Sequence, residues 1–588
     1  MQVYKQDFIL LSFFFLASFL VQAKNSKDFI TSENEKPMLS KSYMKEVRGQ
    51  DLFHILQQVE GDLLTIKPDV VFVMAGNNDK AQLKTPLEEN NFKSTYQKII
   101  STLKEKGIET VLFKLPHLIT DNRGFNLPDF RTSQQYRLNK ANEIIQSLAV
   151  ENELQLIDIH ANYGSKNITC GAIPDSEKTL SPNCANRIAA AQAFKYLNES
   201  KKSNKKLTLL FLANSTSKST VSPHLSEERA KSINYHFRKI VSWEKIAPYF
   251  SVPSKYRELE GNFKDPFIFD DQSKVTSLED WKQRRQEILK AWHGYMGEWP
   301  ELIENPNYEV LSSINKPDYI QKKIRFEWVP GQMTHGYLLV PYQAKKLPAV
   351  VTVYYEPETA IGEGKEERDF GLQLVKRGFV TLSIGTTETT RNKTYSLYYP
   401  HIDSTTVEPL SLLGYAAANA WHLLASLPEV DQEKIGIMGH SYGGKWAMFA
   451  SCLFENFAAA VWSDPGIVFD QVRPNINYWE PWYLGYHPRP RRERGVPNAD
   501  NPARGTYLQL LKDDRDLHEL HVLMAPRPFL VSGGEEDGEH RWVPLNHSIK
   551  VNKLYGLSDR VGMSNRPEHS PNPESNAIIY NFFDYFLK

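Results

Sequence analysis

The sequence predicts an α/β protein made of two units, each built around a parallel sheet. The chain has 588 residues, too many for a single hydrophobic core. From about residue 50 to 200, and again after residue 280, short apolar runs alternate with amphipathic stretches of helical length. This alternation is typical of parallel strands connected by helices. The second stretch also contains a strand, a Gly-rich turn and a helix in immediate succession.

Composition excludes several classes of protein. The 70 Lys and Arg residues balance 70 Asp and Glu residues, so the net charge of zero gives no general attraction to nucleic acid or acidic membranes. The hydrophobic content of 41% is enough for packed cores and too high for a disordered chain. We therefore expect a globular protein with no nucleic-acid partner.

Residues 1–23 have the pattern of a cleavable signal peptide. Lys5 precedes an apolar run at residues 8–21, and small residues follow at Val21 and Ala23. A helix over this run is about 21 Å long, which is short of the ~30 Å hydrocarbon core. The segment thus predicts a secreted or periplasmic protein with no membrane anchor.

The chain has three cysteines, and two of them could form the kind of disulfide that is common in exported proteins. A disulfide between Cys170 and Cys184 would close a loop of about 15 residues and contribute ~3 kcal/mol. Cys452 has apolar neighbours and is predicted to be a buried free thiol. The sequence contains no C-x-x-C and no H-E-x-x-H pattern, so neither a metal nor an organic cofactor is expected.

The first unit is predicted over residues 24–204. Its predicted strands cover residues 69–74, 110–115 and 154–159. Its predicted helices cover residues 52–66, 92–106, 134–151 and 185–197.

Two segments of this unit, residues 67–79 (KPDVVFVMAGNND) and 180–191 (LSPNCANRIAAA), resemble the SGNH (GDSL-type) hydrolases. The resemblance implies a flavodoxin-type parallel sheet, with Asn78 and Gly49 matching the family's oxyanion groups. However, residues 23–48 contain no G-D-S nucleophile block, and the D-x-x-H dyad falls on Ser176 and Thr179.

Loss of nucleophile and base together typically costs about a million-fold in turnover. We therefore expect this unit to be inactive and to serve in binding or support. In that case residues 76–79 simply form a turn after a strand.

Residues 205–243 are predicted to be a connector, and residues 244–588 the second unit. Its predicted strands cover residues 319–328, 335–340, 349–355, 379–384, 434–438, 458–463 and 528–532. Its predicted helices cover residues 281–299, 369–377, 414–427, 445–454 and 574–586.

A Gly-x-Ser-x-Gly motif at residues 439–443 connects a predicted strand directly to a predicted helix. In this context the serine occupies a strained turn, and the flanking glycines allow strand and helix to approach closely. Ser441 is therefore the candidate nucleophile. The alternative interpretation is an ordinary Ser/Gly-rich loop.

A serine hydroxyl needs a base to remove its proton and a carboxylate to orient that base. Such folds place the acid and then the histidine after the serine. We predict Asp537, in the Gly-rich acidic loop after strand 528–532, as the acid, and His569, in a Pro-rich loop, as the base. The rival acids are Asp464, which follows strand 458–463, and Glu535 or Glu536. The rival base is His540.

The oxyanion of an acyl intermediate requires backbone N–H donors. We expect these from Tyr442, directly after the serine, and from Glu356 or its neighbour, after strand 349–355. One such donor is typically worth ~3 kcal/mol.

The serine turn, the APRPFLVSGG strand and the HSPNPES loop resemble α/β-hydrolases of the acetyl xylan esterase and dienelactone hydrolase type. Lys445 also matches a lysine that contacts the sugar in glucuronoyl esterases, although Tyr442 replaces the arginine of that family. The alternative for Lys445 is a solvated residue in the first turn of a helix.

An aromatic and basic insertion at residues 477–495 is a candidate carbohydrate surface. Trp479 and Trp482 can stack on sugar rings, and Arg491, with Arg489, Arg492 and Arg494, can bind carboxylate or sulfate groups. The alternative is a packed aromatic cap with a solvated basic edge. Trp542, after the acidic loop, is a further candidate for substrate binding.

These observations predict an exported serine esterase that removes acetyl or related acyl and uronoyl esters from oligo- or polysaccharides. The alternatives are a serine peptidase of the same fold and a non-catalytic carbohydrate-binding protein.

Overall fold

The computed structural model describes most of the chain. The described residues are 41–42, 51–60, 68–76, 79, 83–116, 128–159, 182–200, 208–213, 239–240, 242–342, 344–386, 399–401, 404–470 and 497–588. The chain divides between Val241 and Ser242 into two compact units.

The first unit contains a sheet in which five described strands are all parallel. The strands are β1 (Lys41–Ser42), β2 (Val70–Met74), β3 (Glu109–Phe113), β4 (Gln155–Ile157) and β5 (Thr208–Ala213), in the order β1-β5-β2-β3-β4. The helices are α1 (Leu52–Glu60), α2 (Pro86–Glu105), α3 (Pro128–Glu151) and α4 (Pro182–Glu199).

Helices cover this sheet on both faces. Val71 and Val73 of β2 belong to a core shared with α1, α2 and α3, whereas their neighbours Val70 and Phe72 belong to a second core shared with α4. Because alternate residues of a strand point to opposite faces, β2 must be apolar throughout. The predicted parallel sheet with helices on both faces is confirmed.

Strand β5 corrects the predicted connector. It lies inside the sheet between β1 and β2, and Ala213 at its end pairs with Met74. The Ser/Thr-rich sequence after residue 213 favours a connector at residues 205–243, but TLLFLA at its start is itself an apolar strand sequence. Strand β5 therefore ends at the same sheet edge as β2.

The second unit contains a mixed sheet of nine described strands. They are β6 (Tyr308–Asn315), β7 (Tyr319–Val329), β8 (Gln332–Pro341), β9 (Leu347–Tyr354), β10 (Val380–Gly385), β11 (Val430–His440), β12 (Ala459–Ser463), β13 (Phe529–Gly533) and β14 (Val561–Asn565). Their order is β14-β13-β12-β11-β9-β10-β8-β7-β6. The helices are α5 (Leu278–Met296), α6 (Phe370–Lys376), α7 (Pro409–Ala425), α8 (Tyr442–Leu453), α9 (Gly505–Lys512), α10 (His518–Val522), α11 (Trp542–Leu554) and α12 (Pro573–Leu587).

The part of the sheet from β10 and β9 to β14 is parallel, and only β8, β7 and β6 run antiparallel to their neighbours. Strand β11 lies between β9 and β12, so the ends of these three strands meet at one edge. This is where an open α/β sheet presents its loops for chemistry. The predicted α/β-hydrolase fold is confirmed.

The outermost strands were not predicted. All eight residues of β6 are exposed, including Tyr308, Val310 and Ile314, which lie at alternate positions along it, so the strand has no buried face. The predicted helix 281–299 ends earlier, at Met296, because Gly297 has φ +87° and a Cβ there would meet the Thr406 carbonyl oxygen at 1.9 Å. Such a position requires glycine.

Cys452 is a fully buried free thiol, as predicted. The proposed signal peptide and Cys170 lie outside the described residues. Among the helices that the structure does describe, none combines the length and the apolar character needed to cross a bilayer.

Candidate active site

Ser441 occupies the turn between β11 and α8, with φ +57° and ψ −113°. A left-handed φ is strained for a residue with a Cβ, and the surrounding contacts must enforce it. The glycines make this possible: a Cβ on Gly439 would meet the Gly443 carbonyl oxygen at 2.2 Å, and one on Gly443 would meet the Val353 carbonyl oxygen at 2.0 Å. The serine therefore stands on a tight turn between the central strand and its helix.

His569 lies in the loop between β14 and α12, and its Nε2 is 2.9 Å from Ser441 Oγ. This is the hydrogen-bond distance that a base needs to accept the hydroxyl proton. The rival base His540 is exposed, in a short 3₁₀ turn at residues 539–541. The structure thus brings the predicted serine and histidine together.

The carboxylate that contacts the histidine is Asp464, not Asp537. His569 Nδ1 donates to Asp464 Oδ2 at 2.6 Å. Asp464 is fully buried and follows β12, so the predicted position of the acid, after β13, is wrong. The sequence is compatible with an acid after either β12 or β13, and only the position of the histidine loop decides between Asp464 and Asp537.

Asp537 is also fully buried, but its carboxylate accepts the N–H groups of Gly466 at 2.8 Å and Ile467 at 2.7 Å. Burial first, and then the nearby negative charge of Asp464, raise the pKa of Asp537 to about 6. The rival acid Glu536 donates its backbone N–H to Asp464, and Glu535 is exposed. The acidic loop therefore supports Asp464 rather than contacting the base.

Lys445 does not lie on a surface, contrary to both interpretations made from the sequence. It is fully buried, and its ammonium donates to the Pro465 carbonyl oxygen. Burial lowers its pKa well below the usual value, while the carboxylates of Glu536, Asp537 and Asp464 oppose that shift. Lys445 therefore contacts the turn that follows Asp464 rather than solvent.

Arg566 is a site residue that the sequence analysis missed. Its guanidinium donates to the carbonyl oxygens of His569 at 2.7 Å, Ser570 at 2.8 Å and Ser532 at 2.8 Å. These bonds tie the histidine loop to the end of β13. Its sequence context, a Pro-rich loop, carries no signal for that role.

His440, directly before the serine, was also missed. Its ring is 4.8 Å from that of His569, and its Nδ1 is 3.1 Å from Ser463 Oγ. Burial first, and then the positive electrostatic influence of His569 and of two arginines, hold the pKa of His440 well below the usual value. A neutral ring therefore lies beside the candidate base.

Tyr442 and Glu356, the expected oxyanion donors, lie just after β11 and β9. Tyr442 is the first residue of α8, where backbone N–H groups have no acceptor within the helix. Glu356 precedes a 3₁₀ turn at residues 357–361, directly after β9. Tyr355, between the end of β9 and Glu356, stacks its ring on the Tyr442 ring. Burial raises the pKa of the Glu356 carboxyl.

The predicted substrate-binding residues fare differently. Trp542 is 2% exposed and belongs to the main core, so its side chain does not form a binding surface. Trp479, Trp482 and Arg491 lie outside the described residues. The same holds for Gly49, Asn78, Ser176 and Thr179 of the first unit.

One group of described residues has the donor types for a metal ion: Glu260, Asp265 and His547. The Lys550 ammonium is 3.1 Å from Glu260 Oε1 and 3.7 Å from Asp265 Oδ2, and His547 Nε2 is 2.9 Å from the Glu260 carbonyl oxygen. The lysine therefore already pairs with both carboxylates and offsets one of their two negative charges.

Two family models match the sequence. Residues 39–175 match the GDSL-like lipase/acylhydrolase family, and residues 415–486 match the BAAT / acyl-CoA thioester hydrolase C-terminal family. Both resemblances, GDSL-type in the first unit and hydrolase-type in the second, are thereby confirmed. No curated protein matches the chain.

Several solved structures are similar to this one. A glucuronoyl esterase from Solibacter usitatus is 15% identical, with a TM-score of 0.43 over 55% of this chain and 97% of its own. A carbohydrate esterase family 15 glucuronoyl esterase from Caldicellulosiruptor kristjansonii is 22% identical, with a TM-score of 0.41 over 56% and 92%. A putative acetyl xylan esterase from Bacteroides fragilis is 16% identical, with a TM-score of 0.39 over 60% and 94%.

Proposed function

We propose that the protein is a serine carboxylic-ester hydrolase whose active site lies in the second unit. The observation that carries this proposal is the pair of contacts made by His569, to Ser441 at 2.9 Å and to Asp464 at 2.6 Å. Serine, imidazole and carboxylate in this order form a general apparatus for acyl transfer. The matches to two hydrolase families support the same reaction class.

In the proposed mechanism, His569 Nε2 takes the proton of Ser441 as its Oγ attacks the ester carbonyl carbon. The backbone N–H groups of Tyr442 and Glu356 stabilise the oxyanion, and the histidine returns the proton to the leaving alcohol. Water then attacks the acyl-enzyme by the same route and releases the acid. Asp464 holds the imidazole in the tautomer with the proton on Nδ1 and stabilises its charged form.

The proposed substrate is an ester substituent, acetyl or a related acyl or uronoyl group, on an oligo- or polysaccharide. Support comes from the insertion at residues 477–495, where tryptophans and arginines provide stacking surfaces and anion-binding groups. The apolar run and small residues within residues 1–23 support export to the compartment where such polymers are found. In this proposal the first unit is not catalytic and serves in binding or support.

A fluorophosphonate probe tests the reaction class because it labels only an activated serine. The full chain should be labelled, and Ser441→Ala should not. The matched control is Ser215→Ala, since Ser215 follows strand β5, which ends beside β2 in the first unit. Labelling that survives in Ser441→Ala and is lost in Ser215→Ala would move the activity to the first unit. An unlabelled wild type would favour a non-catalytic carbohydrate-binding protein.

The substrate class is tested by assaying acetyl, feruloyl and methyl-glucuronoyl saccharide esters side by side with a peptide amide. We expect hydrolysis of at least one saccharide ester and none of the peptide. Replacing Trp479 and Trp482 by alanine should raise KM for the saccharide ester and leave p-nitrophenyl acetate hydrolysis unchanged. Equal KM values in the variant and wild type would remove the insertion from the binding site.

A further inference from the structure

We propose that Lys445 and Asp537 are positioning residues that hold the turn at residues 464–467, so that Asp464 faces His569. The inference rests on the proposed function, because Asp464 acts there through the histidine. It gives roles to two buried charged residues for which the proposed mechanism has no step.

The turn needs to be held because its backbone is unfavourable. Asp464 has φ +51°, a conformation that a residue with a Cβ rarely adopts, and Gly466 has φ +76°. An extended conformation at Asp464 would point its carboxylate in another direction. The contact between Asp464 and His569 therefore depends on groups that stabilise the left-handed turn.

Lys445 and Asp537 bind successive peptide groups of this turn. The Lys445 ammonium donates to the Pro465 carbonyl oxygen. The two carboxylate oxygens of Asp537 accept from the N–H groups of Gly466 and Ile467, at 2.8 and 2.7 Å. Hydrogen bonds that involve a charged group are about twice as strong as neutral ones, and all of these are buried.

Asp464 in turn holds the loop that carries Asp537. Its Oδ1 accepts the N–H groups of Gly534 at 2.7 Å, Glu536 at 3.2 Å and Asp537 at 2.9 Å. Its Oδ2 accepts from the histidine and, at 3.3 Å, also from the Glu536 N–H. The Asn565 side chain donates to the Asp537 carbonyl oxygen at 2.7 Å and anchors the same loop to β14. Each aspartate therefore fixes the backbone next to the other.

The charges explain why a lysine is buried here. Asp464 and Asp537 are both fully buried, and unpaired buried carboxylates are strongly unfavourable. Asp537 also forms a salt bridge with Arg541, but the contact is long, with 3.8 Å between Arg541 Nε and Asp537 Oδ1. The carboxylates of Glu536, Asp537 and Asp464 favour the charged form of Lys445 and so oppose the effect of its burial.

A double-mutant cycle tests the inference. Asp537→Asn and Lys445→Met should each lower kcat for p-nitrophenyl acetate roughly ten- to hundredfold with little change in KM, because a misplaced carboxylate weakens the base. In an Asp464→Asn background the same changes should cost less than about threefold, since their route to the histidine is already lost. Rates are expressed per serine titrated with the fluorophosphonate, so that misfolded molecules do not count. Equal factors in both backgrounds would overturn the inference.

A second measurement does not depend on turnover. The His569 Nδ1 proton, held in a 2.6 Å hydrogen bond to Asp464, should give a strongly downfield proton NMR resonance, identified by its loss in His569→Asn. Asp537→Asn or Lys445→Met should shift or remove it. An unchanged resonance in both variants would contradict a positioning role. A wild type that neither turns over nor takes the probe would instead refute the proposed function and leave the NMR test valid.

Discussion

The ring of Tyr355 is stacked on the ring of Tyr442, with centroids 4.4 Å apart and planes within 4°. Tyr355 directly precedes one expected oxyanion donor, Glu356, and Tyr442 is the other. The Tyr355 carbonyl oxygen also accepts the Thr386 N–H at 2.7 Å. The stack therefore links the two segments whose backbone amides must converge on one oxygen atom.

Tyr355→Ala should lower kcat roughly tenfold, because an aromatic pair contributes about 0.5–1.5 kcal/mol and its loss loosens the spacing of the two amides. Tyr355→Phe keeps the stack and should retain activity near the wild-type level. Steady-state kinetics with p-nitrophenyl acetate distinguish the variants. An equal loss in both would assign the effect to the hydroxyl rather than to the stack.

Asp464→Asn should lower kcat by about 10⁴, the usual cost of replacing the carboxylate that orients the base. The matched control is Glu536→Gln, a nearby acid whose backbone, rather than side chain, contacts Asp464. It should retain most of the activity. Were Glu536→Gln the more damaging of the two, the acid would have been misassigned.

The stability of the protein should fall as the pH drops below 6.5. Burial lowers the pKa of His518 to about 3, so the native state excludes a proton that the unfolded chain binds below pH 6.5. The free energy of unfolding therefore decreases from pH 6.5 towards pH 3. Burial also lowers the pKa values of His521 and His440, so both residues add to this loss of stability at low pH.

His518→Gln tests this linkage, since Gln can still donate to the Lys264 carbonyl oxygen that His518 Nε2 contacts at 2.7 Å. The variant should lose up to about 1.4 kcal/mol per pH unit of the acid dependence. Urea unfolding at several pH values measures the slope. Burial raises the pKa of Asp516 to about 7 and that of Asp537 to about 6, and both groups act in the opposite direction. They do so in the wild type and the variant alike, so the slopes of the two proteins are compared. Identical slopes would show that His518 does not remain neutral.

Gly443→Ala should destabilise the second unit by about 3 kcal/mol or more, because its Cβ would overlap the Val353 carbonyl oxygen of the neighbouring strand. Gly294→Ala is the matched control. Gly294 lies on an exposed face of α5 with nothing near its Cβ position, so alanine should stabilise by about 0.5–1 kcal/mol. Urea midpoints followed by circular dichroism compare the two. A Gly443→Ala variant as stable as wild type would argue against the close approach of helix and strand.

Local sequence was sufficient for the elements that carry a local signal. The alternation of apolar strands with amphipathic helices predicted both parallel sheets, and the glycines around Ser441 predicted its tight turn. The exposed edge strand β6 escaped because it has no buried face, and β5 escaped because a hydroxyl-rich segment follows it. Prediction from a sequence pattern depends on buried faces and turn residues, so it misses an element whose sequence shows neither clearly.

The choice between Asp464 and Asp537 was made by the tertiary structure alone. Both aspartates follow strands that end at the same edge, and the sequence holds no information on which of two parallel neighbours the histidine loop will approach. Arg566, through its bonds to the carbonyl oxygens of Ser532 and His569, places that loop, and the left-handed turn at Asp464 completes the contact. The burial of Lys445 likewise could not be predicted from the sequence, because it depends on contact with the turn after β12. Sequence determined which chemical groups the site has, and long-range packing determined which of them touch.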